Sequence, residues 1–97
     1  MKVKTIDIQA KEWFDKVNGN SYFSAVAWIN FRMKSEKEVT LPSQYGYGDH
    51  YIDMAKEALA KAGHIKPEEH QALWRYCEEN NIILRTTKRE NCKKKEL

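Results

Sequence analysis

Residues 41–65, LPSQYGYGDHYIDMAKEALAKAGHI, set a strand end, a loop of tyrosines and glycines, and a helix one after another, and the fold is read outward from them. Pro42 has no N–H to give a sheet ladder, so it is expected to close the strand before it, and Gly46 and Gly48 permit backbone angles that a Cβ disfavours. The chain therefore turns here. Asp49 suits the N-cap of a helix starting at His50, because its carboxylate can accept from the orphan amides of the first turn and complements the helix dipole. Ile52, Ala55, Leu59 and Ala62 recur on one helical face, with Asp53, Lys56, Glu57 and Lys61 mostly off it, so that face is expected to pack on a core. Gly63 offers a left-handed stop, and Ile65 just beyond it the closing apolar contact.

A length of 97 residues, 41% hydrophobic and 32% charged, with four Gly and two Pro, describes one ordinary folded domain rather than two or a disordered chain. No apolar run is long enough to span a membrane, and the opening MKVKTIDIQ lacks the apolar core and cleavage site of a signal peptide, so a cytoplasmic setting without membrane contact is expected. Cys77 and Cys92 are too few and too far apart for a disulfide framework, and reduced thiols are expected. The net charge of +3 is uneven: from Arg85 onward six basic residues face two acidic ones, while the first 84 residues carry a net −1. A domain over 1–88 with a basic, flexible tail over 89–97 is the division this implies.

Before the loop, Ile6, Ile8 and Ala10 alternate with Thr5, Asp7 and Gln9 as in a half-buried strand. Residues 10–17 are open between two helical turns and extended chain, and Asn18-Gly19, a type I′ hairpin signal, favours the extended reading, with Trp13 and Phe14 on opposite sides. From Ser21 to Phe31 one face carries Phe23, Ala25, Ala27, Ile29 and Phe31 and the other Tyr22, Ser24, Val26, Trp28 and Asn30. Since Tyr22, Val26 and Trp28 do not make a plain wet face, a helix is expected over part of it, or else a ligand. Val39 and Leu41 restore the alternation up to Pro42. Past the first helix, Pro67 with Glu68 and Glu69 suits a helix start, His70, Leu73, Trp74 and Cys77 form its stripe, Asn80-Asn81 its exit, and Ile82 to Leu84 a buried strand. The order is strand, strand, strand, helix, helix, strand: a two-layer α+β domain, a mostly antiparallel sheet of about four strands with two helices on one face.

The loop QYGYGDHY holds the candidate partner-binding residues Tyr45, Tyr47, Asp49, His50 and Tyr51, since tyrosine is enriched at binding hot spots and helix amides can hold an anion. A structural turn is its bland reading. Gly46-x-Gly48 lacks the third glycine and the lysine of phosphate loops, which leaves a nucleotide-binding sponge as a lesser alternative. For nucleic acid the candidates are Arg85, Lys88, Arg89, Lys93, Lys94 and Lys95 together with exposed aromatics. No His or Cys pair has metal-ligand spacing, Cys77 lies on an apolar stripe, and no Ser/His/Asp or paired-carboxylate pattern is legible, so no metal, no cofactor and no enzymatic activity are expected. A homodimer through sheet edges or faces stays open.

The blocks AKEWFDKVNGNSYFSA, LPSQYGYGDHYIDMA and LWRYCEENNIILRT resemble a group of small uncharacterised proteins encoded by bacteriophages and prophages, and the resemblance covers nearly the whole chain. It names no chemistry and carries no catalytic residue over. What it implies is context: a non-enzymatic accessory protein that binds and modulates a host protein or complex, such as CRISPR or another bacterial defence system.

Overall fold

The alternation that begins at Ile6 does not stop at Ala10: the first strand, β1, spans Thr5–Asp15, so residues 10–15 are extended as far as the turn. The computed structural model describes residues 3–46 and 48–97. After β1 come β2 (Asn20–Ile29), β3 (Lys37–Tyr45), α1 (His50–Lys61), α2 (Leu73–Glu79) and β4 (Ile83–Arg89), the order read from the sequence, and then a single 3-10 turn at Lys94–Glu96. The sheet order is β3-β2-β1-β4, antiparallel from β3 to β1 and parallel between β1 and β4. The two helices supply the long crossover that parallel pairing requires.

Both helices lie on one face. Ile6, Ile8 and Ala10 of β1, Phe23, Ala25, Ala27 and Ile29 of β2, and Leu41 of β3 meet Tyr51, Ala55 and Leu59 of α1 and Leu73 and Cys77 of α2, with Ile65 and Ile82 closing the ends. The Tyr22, Val26 and Trp28 face expected to carry a helix takes neither α1 nor α2; the C-terminal segment reaches it, with Lys94 near the Trp13 ring and Leu97 beside Val26 and Trp28. Helix α1 follows its stripe with two changes: Tyr51 joins it, and Ala62 falls outside as the exposed C-cap. Its end is the one the sequence encodes. Gly63 has φ 83°, its N–H donates to the Ala60 carbonyl at 3.0 Å, that of His64 donates to Leu59 at 3.0 Å, and Ile65 is buried beyond.

Several local expectations fail, each to a competing contact. Asp15 pairs with Asn20, so the hairpin loop has the four residues Lys16 to Gly19 rather than a two-residue type I′ turn. The Asp15 carboxylate accepts from the amides of Val17 at 3.0 Å and Asn18 at 3.3 Å and from the Asn18 side chain at 2.8 Å, a local network that a two-residue loop does not permit. Pro42 does not end β3. That strand is a sheet edge, where a missing N–H leaves no ladder bond unmade, and a bulge lets Ala25 pair with Leu41 and Phe23 with Gln44.

Asn30 leaves the pleat at φ 52° and is 1% exposed. Its Oδ1 accepts from the amides of Lys4 at 2.7 Å and Thr5 at 3.3 Å, and its side-chain amide donates to the Ser35 hydroxyl at 2.9 Å. Helix α2 starts at Leu73, not after Pro67, because a turn intervenes: the Glu68 N–H donates to the Gln71 side chain at 2.9 Å, the Gln71 N–H to the Glu68 carbonyl at 3.0 Å, and His70 has φ 64°. Of the expected stripe Leu73 and Cys77 are buried, while His70 and Trp74 face solvent. The last strand is an edge rather than a buried strand, with Ile83 60% exposed. Instead of standing free as a tail, the segment after Arg89 folds back: Cys92 is buried and its N–H donates to the Glu12 carbonyl at 2.9 Å. Among the described residues no helix is long and apolar enough to cross a membrane.

Asn30→Ala strands the buried Thr5 amide and the part-buried Lys4 amide, so it should lower the unfolding free energy by about 1–3 kcal/mol, read from urea denaturation. The hairpin predicts a pH effect. Hydrogen bonds from the Asn18 side chain, then from the Asn18 and Val17 amides, hold the Asp15 pKa below its ordinary value of 3.8. A depressed folded-state pKa contributes stability above the unfolded value and loses it as pH falls through the folded one. Asp15→Asn should therefore flatten the fall in melting temperature between about pH 5 and about pH 3.

Candidate functional site

The face of the sheet opposite the helices is built by the outward half of each strand's alternation: Asp7, Gln9, Lys11 and Trp13 from β1, Tyr22, Ser24, Val26 and Trp28 from β2, Glu38 and Thr40 from β3, and Arg85, Thr87 and Arg89 from β4. At one end an aromatic row crosses the strands. Tyr45 meets Tyr22 edge-on at 5.9 Å and 80°, Tyr22 stacks on Trp13 at 5.5 Å and 25°, and the Lys94 ammonium lies 5.6 Å from the Trp13 ring. At the other end Trp28 tilts against Phe31 at 5.1 Å, and the Arg32 guanidinium sits 5.4 Å from the Phe31 ring. Each such ring pair adds about 0.5–1.5 kcal/mol to simple burial and holds its members in place. Between the ends runs an open groove of about 800 Å³, whose floor includes Val26 and Trp28 and whose sides carry Ser24, Thr40, Lys11 and Arg89.

Electrostatics divide β4. The Arg85 guanidinium donates to both Asp7 oxygens, at 2.6 and 3.0 Å, and that carboxylate holds its pKa above the ordinary value. Burial alone pulls the Lys88 ammonium down, but Glu12 and Glu90, each 3.4 Å away, outweigh it and leave the pKa raised. Lys88 also donates to the Gly48 carbonyl at 3.1 Å, tying β4 to the loop. Arg85 and Lys88 are thus committed to intramolecular contacts, and the Lys94 ammonium to the Trp13 ring. The Cys77 thiol is buried and its pKa pushed up to about 11, so it stays protonated at neutral pH. Among the described residues no three His, Cys, Asp or Glu side chains converge as metal ligands would.

The described loop residues do not all lie at the surface. Tyr45 is 58% exposed and belongs to the aromatic row, Asp49 and His50 are exposed at the helix start, and Tyr47 lies outside the described residues. Tyr51, expected at the surface, is 5% exposed because the first turn of α1 points it into the core, with the Lys88 ammonium 6.0 Å from its ring. Asp49 occupies the N-cap position at φ −93° and ψ 12° without a side-chain cap bond, so it does not play the capping role its type suggested. Gly46 is needed for close approach rather than a left-handed angle: a Cβ there would lie 2.6 Å from both the His50 ring and the Phe23 ring. Lys11 is a surface residue that the sequence reading did not name, and Gln9 and Trp13, read as strand residues, were not among its candidate site residues. Continuing the alternation of β1 beyond Ala10 places all three beside Tyr22 and Val26.

Compared with protein families, with curated proteins and with solved structures, the chain has no match.

Gly46→Ala should cost about 1–3 kcal/mol through this overpacking, whereas Tyr45→Ala should cost less than about 1 kcal/mol, both read from urea midpoints.

Proposed function

We propose that this is a non-enzymatic accessory protein that captures a host protein on the face of its sheet opposite the helices and modulates it. One observation carries the reading: Tyr45, Tyr22, Trp13, Val26 and Trp28 share the sheet face opposite α1 and α2. An antiparallel face left to water is ordinarily polar, whereas aromatic side chains gathered on an accessible surface are the usual anchors of a protein interface. The rings already lean on one another, so a partner would have little rotamer freedom to quench, which favours affinity. The same stacking supports a protein over a single-stranded nucleic acid, since a base needs an open ring and Trp13 already meets Tyr22 and Lys94. Contact is centred on the sheet, and Tyr45 is the loop residue that reaches it. The resemblance to small phage-encoded proteins supports a bacterial host as the source of the partner and inhibition as the mode.

Immobilised protein and its Tyr22→Ser, Tyr45→Ala variant, each challenged with bacterial lysate with and without nuclease, test this. A protein retained through nuclease treatment and reduced at least about tenfold by the variant, at similar melting temperature, is the expected result. Capture abolished by nuclease, or equal on both proteins, overturns it.

A further inference from the structure

We infer that the outer edge of β4 pairs with the same edge of a second copy of this chain, antiparallel about Thr86, and joins the two sheets into one. β4 ends the strand order, and among the described residues no strand lies beyond it. The two edges of the sheet are built differently. On β3 a bulge and Pro42 obstruct a further strand. β4 has neither, and its pairing to β1 runs unbroken from Thr5 opposite Ile83 to Lys11 opposite Arg89. The chain beyond β4 turns back to β1, where the Cys92 N–H reaches the Glu12 carbonyl, and Arg85, Thr86 and Thr87 are exposed. Charge is the other usual guard of an edge, but Arg85 is answered by Asp7, and Lys88 by Glu12 and Glu90, within the same copy.

The direction of each peptide group fixes the register. The Ile83 N–H donates to the Lys4 carbonyl at 3.0 Å, so Ile83, Arg85, Thr87 and Arg89 turn their peptide groups to β1, and Leu84, Thr86 and Lys88 turn theirs outward. A two-fold axis through Thr86 sets Leu84 opposite Lys88 of the second copy and Thr86 opposite its own counterpart. Every outward N–H and C=O from Leu84 to Lys88 then has a partner. In that register Arg85 faces Thr87, and Ile83, 60% exposed, faces the aliphatic stem of Arg89. A slip by one pairing step sets Arg85 against Arg85 in one direction and against Arg89 in the other, like-charge contacts that cost stability. The uncharged, β-branched Thr86 stands on the axis, where two identical side chains must meet. β4 is thus complementary to itself read backwards, which points to a second copy rather than to a foreign strand. The helices of both copies lie on one side of the joined sheet and their aromatic faces on the other.

Sedimentation velocity on the full chain from about 10 to about 500 μM, with amide hydrogen exchange read by NMR at both ends of that range, tests the inference. Dimer should form as concentration rises, and exchange at Leu84, Thr86 and Lys88 should slow with it, while Ile83, Arg85 and Thr87 are protected throughout. Thr86→Pro removes an N–H that faces away from β1 and should raise the dimer Kd at least about tenfold. Thr86→Lys keeps that N–H, sets two ammonium groups on the axis and should weaken the dimer likewise, so either variant that keeps the circular dichroism of the parent decides. Tyr22→Ser with Tyr45→Ala should leave the dimer unchanged. A monomer even at about 500 μM, exchange at the outward amides indifferent to concentration, or a dimer of equal strength after the Thr86 substitutions overturns the inference. Loss of the dimer with the tyrosine substitutions places the contact on the aromatic face and overturns it as well.

Discussion

The packing of α1 on the β1–β2 hairpin is the interaction on which the rest of the molecule depends. Its buried side chains, Tyr51, Ala55 and Leu59, stand over a stretch of sheet that includes Ala10, Ala25 and Ala27, and these small residues let the helix come close. Burying each large side chain in such a seam stabilises by about 1.5–3 kcal/mol. Among the described residues the α-helices number two, of 12 and 7 residues, and both pack on this face. Neither α-helix reaches the opposite face, whose aromatic residues pack on each other and beside Lys94 and Arg32.

Part of what fixes the outer face is anchored in the covered one. The close approach of Gly46 to Phe23 and His50 fixes where β3 hands over to α1, and so fixes Tyr45 beside Tyr22. Asn30 clasps the amides at the start of β1, and the Lys4 carbonyl accepts the Ile83 N–H at 3.0 Å, which sets the register of β4. Register then decides charge. With Asp7 opposite Arg85, the next outward rows must put Lys11 opposite Arg89, so an ion pair and a cationic pair come from one alignment of the same two strands.

Where sequence signals were local and uncontested they survived. The alternation in β1 and β2 and the glycine stop after α1 needed only neighbouring residues. Where a distant or competing group entered, they did not. Pro67-Glu68-Glu69 suits a helix start, but the Gln71 side chain captures the Glu68 amide in a turn and delays the helix to Leu73. Pro42 ends a strand only if that strand is interior, and its place at the edge is a fact of topology. Tyr45 and Tyr51 sit in one tyrosine-rich string, yet the first points across a sheet and the second into a core, because α1 begins between them.

The sequence by itself determined the α+β class, the order of its elements, both faces of the hairpin and the oddity of aromatic residues on the outer one, since these follow from periodicity along a single chain segment. Only the tertiary structure decided which face the helices cover, that Lys11 and Arg89 stand together, and that the residues after Arg89 return to β1. Those outcomes depend on which strands become neighbours, and pairing between segments far apart in the chain leaves no local trace in the residues that make it.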